Sequence, residues 1–266
     1  MRKIFIFLSV LLLTIALNQR SNAQVTTGQE EQARNDTVMA HLKKAQSLAQ
    51  QGNTEEASKI YISIMESDPN NREAVQGWLF ANMNSIPKEE DAIIVLDSLG
   101  NLYPANTGII FFKAYLEAEH KHYEEALKDA ETLIKLQPDD ALNYIIQGQV
   151  LMELEKYEEA FIALDRATSL DPKRPDVWEM KAFAFVGLSK FEDAIDAINK
   201  GVELIPNNPG TIYNRACIYS LKGDKINALA DLEKAISMNP SYKEYARQDK
   251  DFKSLYNDED FKKLTQ

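Results

Sequence analysis

The chain has 266 residues, 44% hydrophobic and 27% charged, enough apolar material for one large domain or two small ones and too much for disorder throughout. Ten glycines and nine prolines are too few for a collagen-like or low-complexity chain and suit a helical protein. A net charge of −11 argues against nucleic acid and anionic lipid surfaces as partners, since both require basic patches.

Residues 1–23 have the form of a secretory signal peptide. MRK gives a positive start, residues 4–17 an apolar core of 14 residues, and Ser21-Asn22-Ala23 a small-x-small cleavage site. An uncleaved anchor would need about 20 apolar residues, and Asn18-Gln19-Arg20 interrupts this run. Membrane association is therefore expected only if the segment stays uncleaved. Cleavage after Ala23 removes Arg2, Lys3 and Arg20 and takes the net charge from −11 to −14. The expected location is the periplasm or cell envelope of a Gram-negative bacterium. Cys217 is the single cysteine, so no internal disulfide can form there, and it is read as a small buried hydrophobe. Residues 24–37, QVTTGQEEQARNDT, are polar and aperiodic and are assigned to a flexible leader.

From residue 38 the chain repeats itself. Ala57, Ala92, Ala126, Ala160, Ala194 and Ala228 are spaced 35, 34, 34, 34 and 34 apart. Pro69, Pro104, Pro138, Pro172, Pro206 and Pro240 follow, each 12 residues after its alanine. A fixed period in two residue types means stacked supersecondary units, none able to bury its apolar face alone. Between Pro138 and Pro172, ALNYIIQGQVLMEL is apolar at helical spacing, EKY turns the chain, and EEAFIALDRATSL is a second amphipathic helix with acids in its first turn. Each unit is a helical hairpin closed by a proline that the helix cannot pass. A small residue on the first helix, Gly148 here and Ala114, Ala182 and Ala216 elsewhere, admits its partner closely.

These residues resemble the tetratricopeptide repeat family. Repeat four gives Tyr144, Gly148, Leu151, Ala160, Leu164, Ala167 and Pro172 at the family's positions, and repeat five gives Trp178, Ala182, Phe185, Ala194, Ile198 and Pro206. Repeat six gives Ile212, Ala216, Tyr219, Ala228, Leu232, Ala235 and Pro240. The resemblance implies an all-α fold, a right-handed α-solenoid of six helix-turn-helix repeats at 38–71, 72–106, 107–140, 141–174, 175–208 and 209–240. A C-terminal capping helical segment, 241–266, follows, with Tyr245, Phe252, Leu255, Phe261 and Leu264 as its apolar stripe.

Two repeats depart from the pattern. Repeat two has one extra residue, Pro87 in its turn and Trp78-Leu79 where the small residue belongs, so loose packing or a shifted register is expected. Repeat one offers His41 in place of the leading aromatic, as terminal repeats often do.

No residue pattern points to catalysis. G-x-S-x-G, G-x-x-x-x-G-K-[ST], G-x-G-x-x-G and H-E-x-x-H are all missing, and the acid pairs Glu124-Glu125 and Glu158-Glu159 recur as helix-start residues. His120 and His122 lack the cysteines or spaced carboxylates of a metal site. The sequence therefore predicts no catalytic residue, no metal and no cofactor.

What remains is a surface. The family's groove positions, the second, fifth, ninth and twelfth of each repeat, imply a concave lining drawn from Phe111, Tyr115, Leu142, Ile145, Gln149, Met152, Asp176, Glu179, Phe183 and Tyr213. Apolar and aromatic anchors beside a few acids suit a protein or peptide segment. The family's readers of acidic C-terminal tails use a basic carboxylate clamp, and the fifth positions here, Leu42, Phe111, Ile145, Glu179 and Tyr213, supply none. The function read from this is a non-catalytic scaffold in assembly of bacterial envelope or secretion proteins. The alternative is a homo-oligomeric structural protein of the periplasm. If the hairpin closes on Ala160, then Ala160→Leu overpacks it and lowers stability by about 1–3 kcal/mol, measurable as a fall in the urea midpoint.

Overall fold

In the computed structural model, residues 28–86 and 90–266 are described, so the proposed signal segment and Pro87 lie outside the described residues. Among the described residues there is no strand, and no helix is long and apolar enough to cross a membrane. The chain divides between Lys121 and His122 into two compact bodies. The first holds α1 (Gly28–Gln50), α2 (Thr54–Ser67), α3 (Arg72–Asn82), α4 (Asp91–Leu102) and α5 (Thr107–Glu119). The second holds α6 (Tyr123–Leu136), α7 (Ala141–Glu153), α8 (Tyr157–Leu170), α9 (Pro175–Gly187), α10 (Phe191–Leu204), α11 (Pro209–Lys222) and α12 (Lys225–Met238). It ends with α13 (Tyr242–Gln248), a 3₁₀ segment (Lys250–Leu255) and α14 (Glu259–Thr265).

Helix starts follow local chemistry. First helices are capped by a side chain one residue upstream: Asn71 accepts from Ala74 N, Asn106 from Ile109 N, Asp140 from Leu142 N and Asn208 from Gly210 N. Arg174 cannot cap in this way, and α9 starts instead with Pro175 at its first position. Four second helices, α2, α6, α8 and α10, place paired acids in the first turn, such as Glu158 and Glu159 in α8, where the positive end of the dipole lies. Between helices one residue turns left-handed in each of five repeats: Gly52, Lys121, Glu155, Ser189 and Gly223. Glycine adopts this conformation without steric cost at Gly223, whereas Glu155 carries a Cβ into it.

The small residues govern how closely paired helices approach. A Cβ added to Gly148 on α7 would come within 2.7 Å of the Leu164 side chain on α8. Ala160, Ala182, Ala194, Ala216 and Ala228 are fully buried at the equivalent crossings. Accordingly α7–α8, α9–α10 and α11–α12 pack backbone close to backbone. Successive repeats are then joined by side chains that reach the preceding turn. Tyr144 donates to Pro138 O at 3.0 Å and Trp178 Nε1 to Pro172 O at 2.9 Å. The fully buried Asn143 donates to Gln137 O and Leu133 O. Arg215 on α11 makes a bidentate pair with Asp231 on α12 and donates to Asn199 on α10.

Repeat two does not close in this way. Leu79 holds the position that is alanine or glycine elsewhere, and the backbones of α3 and α4 stay apart. Instead α3 packs on α1, α2 and α5, and α4 packs on α5. Its small residue is Gly77, turned to the preceding repeat, where an added Cβ would meet the Tyr61 ring at 2.4 Å.

Residues 28–37 form the first turns of α1, so the flexible-leader assignment is corrected for that stretch. Its polar composition shows no apolar stripe, yet no proline or glycine interrupts the chain from Gln29 to Gln50. The C-terminal segment packs as a cap. Phe252, Leu255 and Phe261 are buried with Ile212, Ala216, Leu232 and Ile236 of repeat six. Tyr245, placed on the same apolar stripe by its spacing, is 44% exposed. Lys225 on α12 pairs with Asp258 and Asp260, and Ser220 Oγ donates to Asp251 O. Since Phe252 is fully buried, Phe252→Ala should cost about 3–5 kcal/mol. Thermal melts of the two proteins, followed by circular dichroism, measure this.

Candidate functional site

The expected groove residues separate into two groups by burial. In the first body Phe111 on α5 is 1% exposed, with the Arg72 guanidinium 4.0 Å from its ring centroid and Phe112 edge-on at 5.4 Å. It belongs to the core and offers no free ring to a partner. Tyr115, one turn further along, is half-buried. The surface that this body does offer was missed by the reading of the sequence. Phe80 and Met83, at the ninth and twelfth positions of repeat two, are 66% and 58% exposed. Counting the groove register from Arg72 would have found both; the extra residue in that repeat obscured it. Beside them the indole N–H of Trp78 is buried with no hydrogen-bond partner among the described residues.

In the second body Leu142 and Ile145 of α7 are buried, while Gln149 and Met152, further along the same helix, are half-buried. On α9, Asp176 is exposed and Glu179 and Phe183 are half-buried. Tyr213 on α11 is corrected from an open anchor to a buried one. Its ring stacks on Tyr242 at 4.6 Å, meets Phe252 edge-on at 5.6 Å, and its hydroxyl donates to Asp249 at 2.8 Å. The cap covers it, and burial pushes its phenol far above the ordinary tyrosine range, with Cys217 and Asp249 adding to the shift.

The two acids are also engaged. Asp176 receives both Nε and a terminal nitrogen of Arg174. Glu179 accepts from Thr211 Oγ1 and from Asn214 Nδ2, which ties α9 to α11. Burial raises its pKa, the Asp176 charge adds to that, and the two hydrogen bonds oppose it.

Cys217, Asp249 and Asp251 bring three potential ligand atoms within 4.8 Å of one another. Each has a structural use. Asp249 accepts from Tyr213, from the Cys217 thiol and from Asp251 N, and so starts the 3₁₀ segment. Burial first, then Asp249 and Asp251, push the thiol far up, so it stays protonated and serves as a donor. Outside the groove set, Leu127, Glu131, Gln147, Leu151, Glu159 and Ile162 line a shallow cavity of about 200 Å³ among α6, α7 and α8.

Three family models match the chain. Two are described as tetratricopeptide repeat, at residues 39–71 and 209–242, and the third as anaphase-promoting complex, cyclosome, subunit 3, at residues 119–201. The chain belongs to the tetratricopeptide repeat family. Solved structures agree on the fold of these repeats. The MamA RS-1 ArsTM double mutant is similar over 69% of this chain and 95% of its own, with 17% identity and a TM-score of 0.56. YrrB, described as a TPR protein with an unusual peptide-binding site, is similar over 71% of this chain and 97% of its own, with 20% identity and a TM-score of 0.53. The Cut9–Hcn1 hetero-tetramer of the APC/C gives a TM-score of 0.59 at 17% identity, over 83% of this chain and 42% of the matched chain. No curated protein matches the chain.

The groove acid has a pH signature. Because the folded pKa of Glu179 is raised above its ordinary value of 4.5, the folded state holds the proton more tightly than the unfolded chain. The contribution of this group to stability should therefore be lost as pH rises through the window that opens above 4.5, and Glu179→Gln should remove that part of the pH dependence. Urea midpoints of both proteins between about pH 4 and about pH 7 measure the difference.

Proposed function

We propose that this repeat protein is a non-catalytic scaffold that holds an extended protein or peptide segment along the first helices of its repeats. One observation carries the reading: at groove positions, large apolar side chains stand open to solvent where a repeat core would bury them. Phe80 and Met83 do so in the first body, and Met152 and Phe183 are half-open in the second. Single exposed apolar residues are ordinary, but Met152 and Phe183 share one register on the successive first helices α7 and α9, and Phe80 and Met83 pair within the first body, so each body offers a recognition surface of its own. Peptide binding by YrrB, similar in fold, supports the same use here. The signal-like segment at 1–23 supports export, and with it a role in assembling envelope or secretion proteins.

Alanine at Phe80 and Met83 removes the first anchor pair, and alanine at Met152 and Phe183 removes the second. Each pair should reduce recovery of crosslinked partners from the native envelope at least about fivefold while leaving helicity and melting temperature near wild type, since hot-spot anchors dominate binding energy. Unchanged recovery in both variants would refute the groove. Light scattering on the same samples detects self-association, the outcome that would favour a homo-oligomer.

A further inference from the structure

We propose that the C-terminal cap adds a subsite for a cationic side chain, lysine or arginine, to the groove of the second body, formed by Tyr242 and Tyr245 of α13 with Glu179 of α9. The inference rests on the groove reading above and names the chemistry of the segment bound there.

The cap reaches into the groove rather than stopping behind it. Tyr242 lies flat on Tyr213, the fifth position of repeat six, with a 27° angle between rings. Its hydroxyl lies where a Cβ on Gly210, the second position of that repeat, would approach to 3.3 Å. Glycine at 210 thus leaves room for the phenol. Thr211, the next residue after Gly210, donates to the Glu179 carboxylate, which brings that carboxylate to the same corner as the Tyr242 hydroxyl. Tyr245 stands edge-on to Tyr242 at 5.7 Å and is 44% exposed.

Three features of this corner suit a cation. Electron-rich tyrosine faces attract ammonium and guanidinium groups. The Tyr242 hydroxyl has no hydrogen bond among the described residues, so its oxygen can accept. Each Glu179 oxygen receives one donor, Thr211 or Asn214, and a carboxylate oxygen accepts two, so a further N–H can be satisfied without breaking the α9–α11 tie. Net charge agrees: without residues 1–23 the chain carries −14, which draws basic segments and repels acidic ones. An anionic side chain in this corner would meet Glu179 unpaired.

The test uses residues 24–266 and two synthetic peptides, one alternating leucine with lysine and one alternating leucine with glutamate. Fluorescence anisotropy should show the lysine peptide binding at least about tenfold more tightly. Tyrosine-ring resonances from Tyr242 and Tyr245 should shift on its addition. Tyr245→Leu and Glu179→Gln should each weaken it about fivefold or more, and Tyr245→Phe, which keeps the ring, should bind within about twofold of wild type. Equal affinity for the two peptides, or binding untouched by Tyr245→Leu, overturns the subsite; so does failure of the lysine peptide to bind. If that peptide binds and is released by alanine at Met152 and Phe183 but not by Tyr245→Leu, the groove stands and the subsite falls.

Discussion

The distance at which two helices can cross sets the rest of this structure. A helix whose apolar face is left half covered must find a second partner, and close crossing at a small residue leaves the larger side chains free to reach the next repeat. Gly148 lies against Leu164, Ala182 is buried in one cluster with Ala194 and Ile198, and Ala216 in another with Ala228 and Leu232; there the hairpins close, and Tyr144, Trp178 and Arg215 extend to neighbouring turns and helices. Within the second body, stability is distributed as interfaces between neighbouring repeats, and the single cysteine of the chain leaves no internal disulfide to add to them.

Repeat two shows the consequence of breaking that rule. Leu79 holds the small-residue position, α3 and α4 stay apart, and α3 is held by α1, α2 and α5 instead. Phe80 on that helix and Met83 in the 3₁₀ turn that follows it stand in solvent, and the Trp78 N–H has no partner among the described residues. Irregular packing and exposed anchors therefore fall in one stretch of the chain, α3 and the turn that follows it.

The C-terminal cap answers a different need. The last hairpin of an array has one uncovered apolar face, and Phe252, Leu255 and Phe261 cover it. Tyr242 then extends over Tyr213, so the segment that ends the array also shapes the surface of repeat six. Covering the end and furnishing the groove are two results of one packing solution.

Helical hairpins at a period of 34, the small-residue crossings, the closing prolines and the helix-start acids were legible in the residues, because each depends on local geometry that a short stretch imposes by itself. Groove positions could be counted from the same period, which put Met152, Glu179 and Phe183 on partly open surface. Which of the counted residues are free for a partner was a tertiary decision. Phe111 went under Arg72, Tyr213 went under Tyr242, and Phe80 and Met83 stayed out, because burial at any one position depends on what the adjoining repeat or the cap lays over it. The single chain pattern specifies the module; only the stacked neighbours specify what each module leaves uncovered.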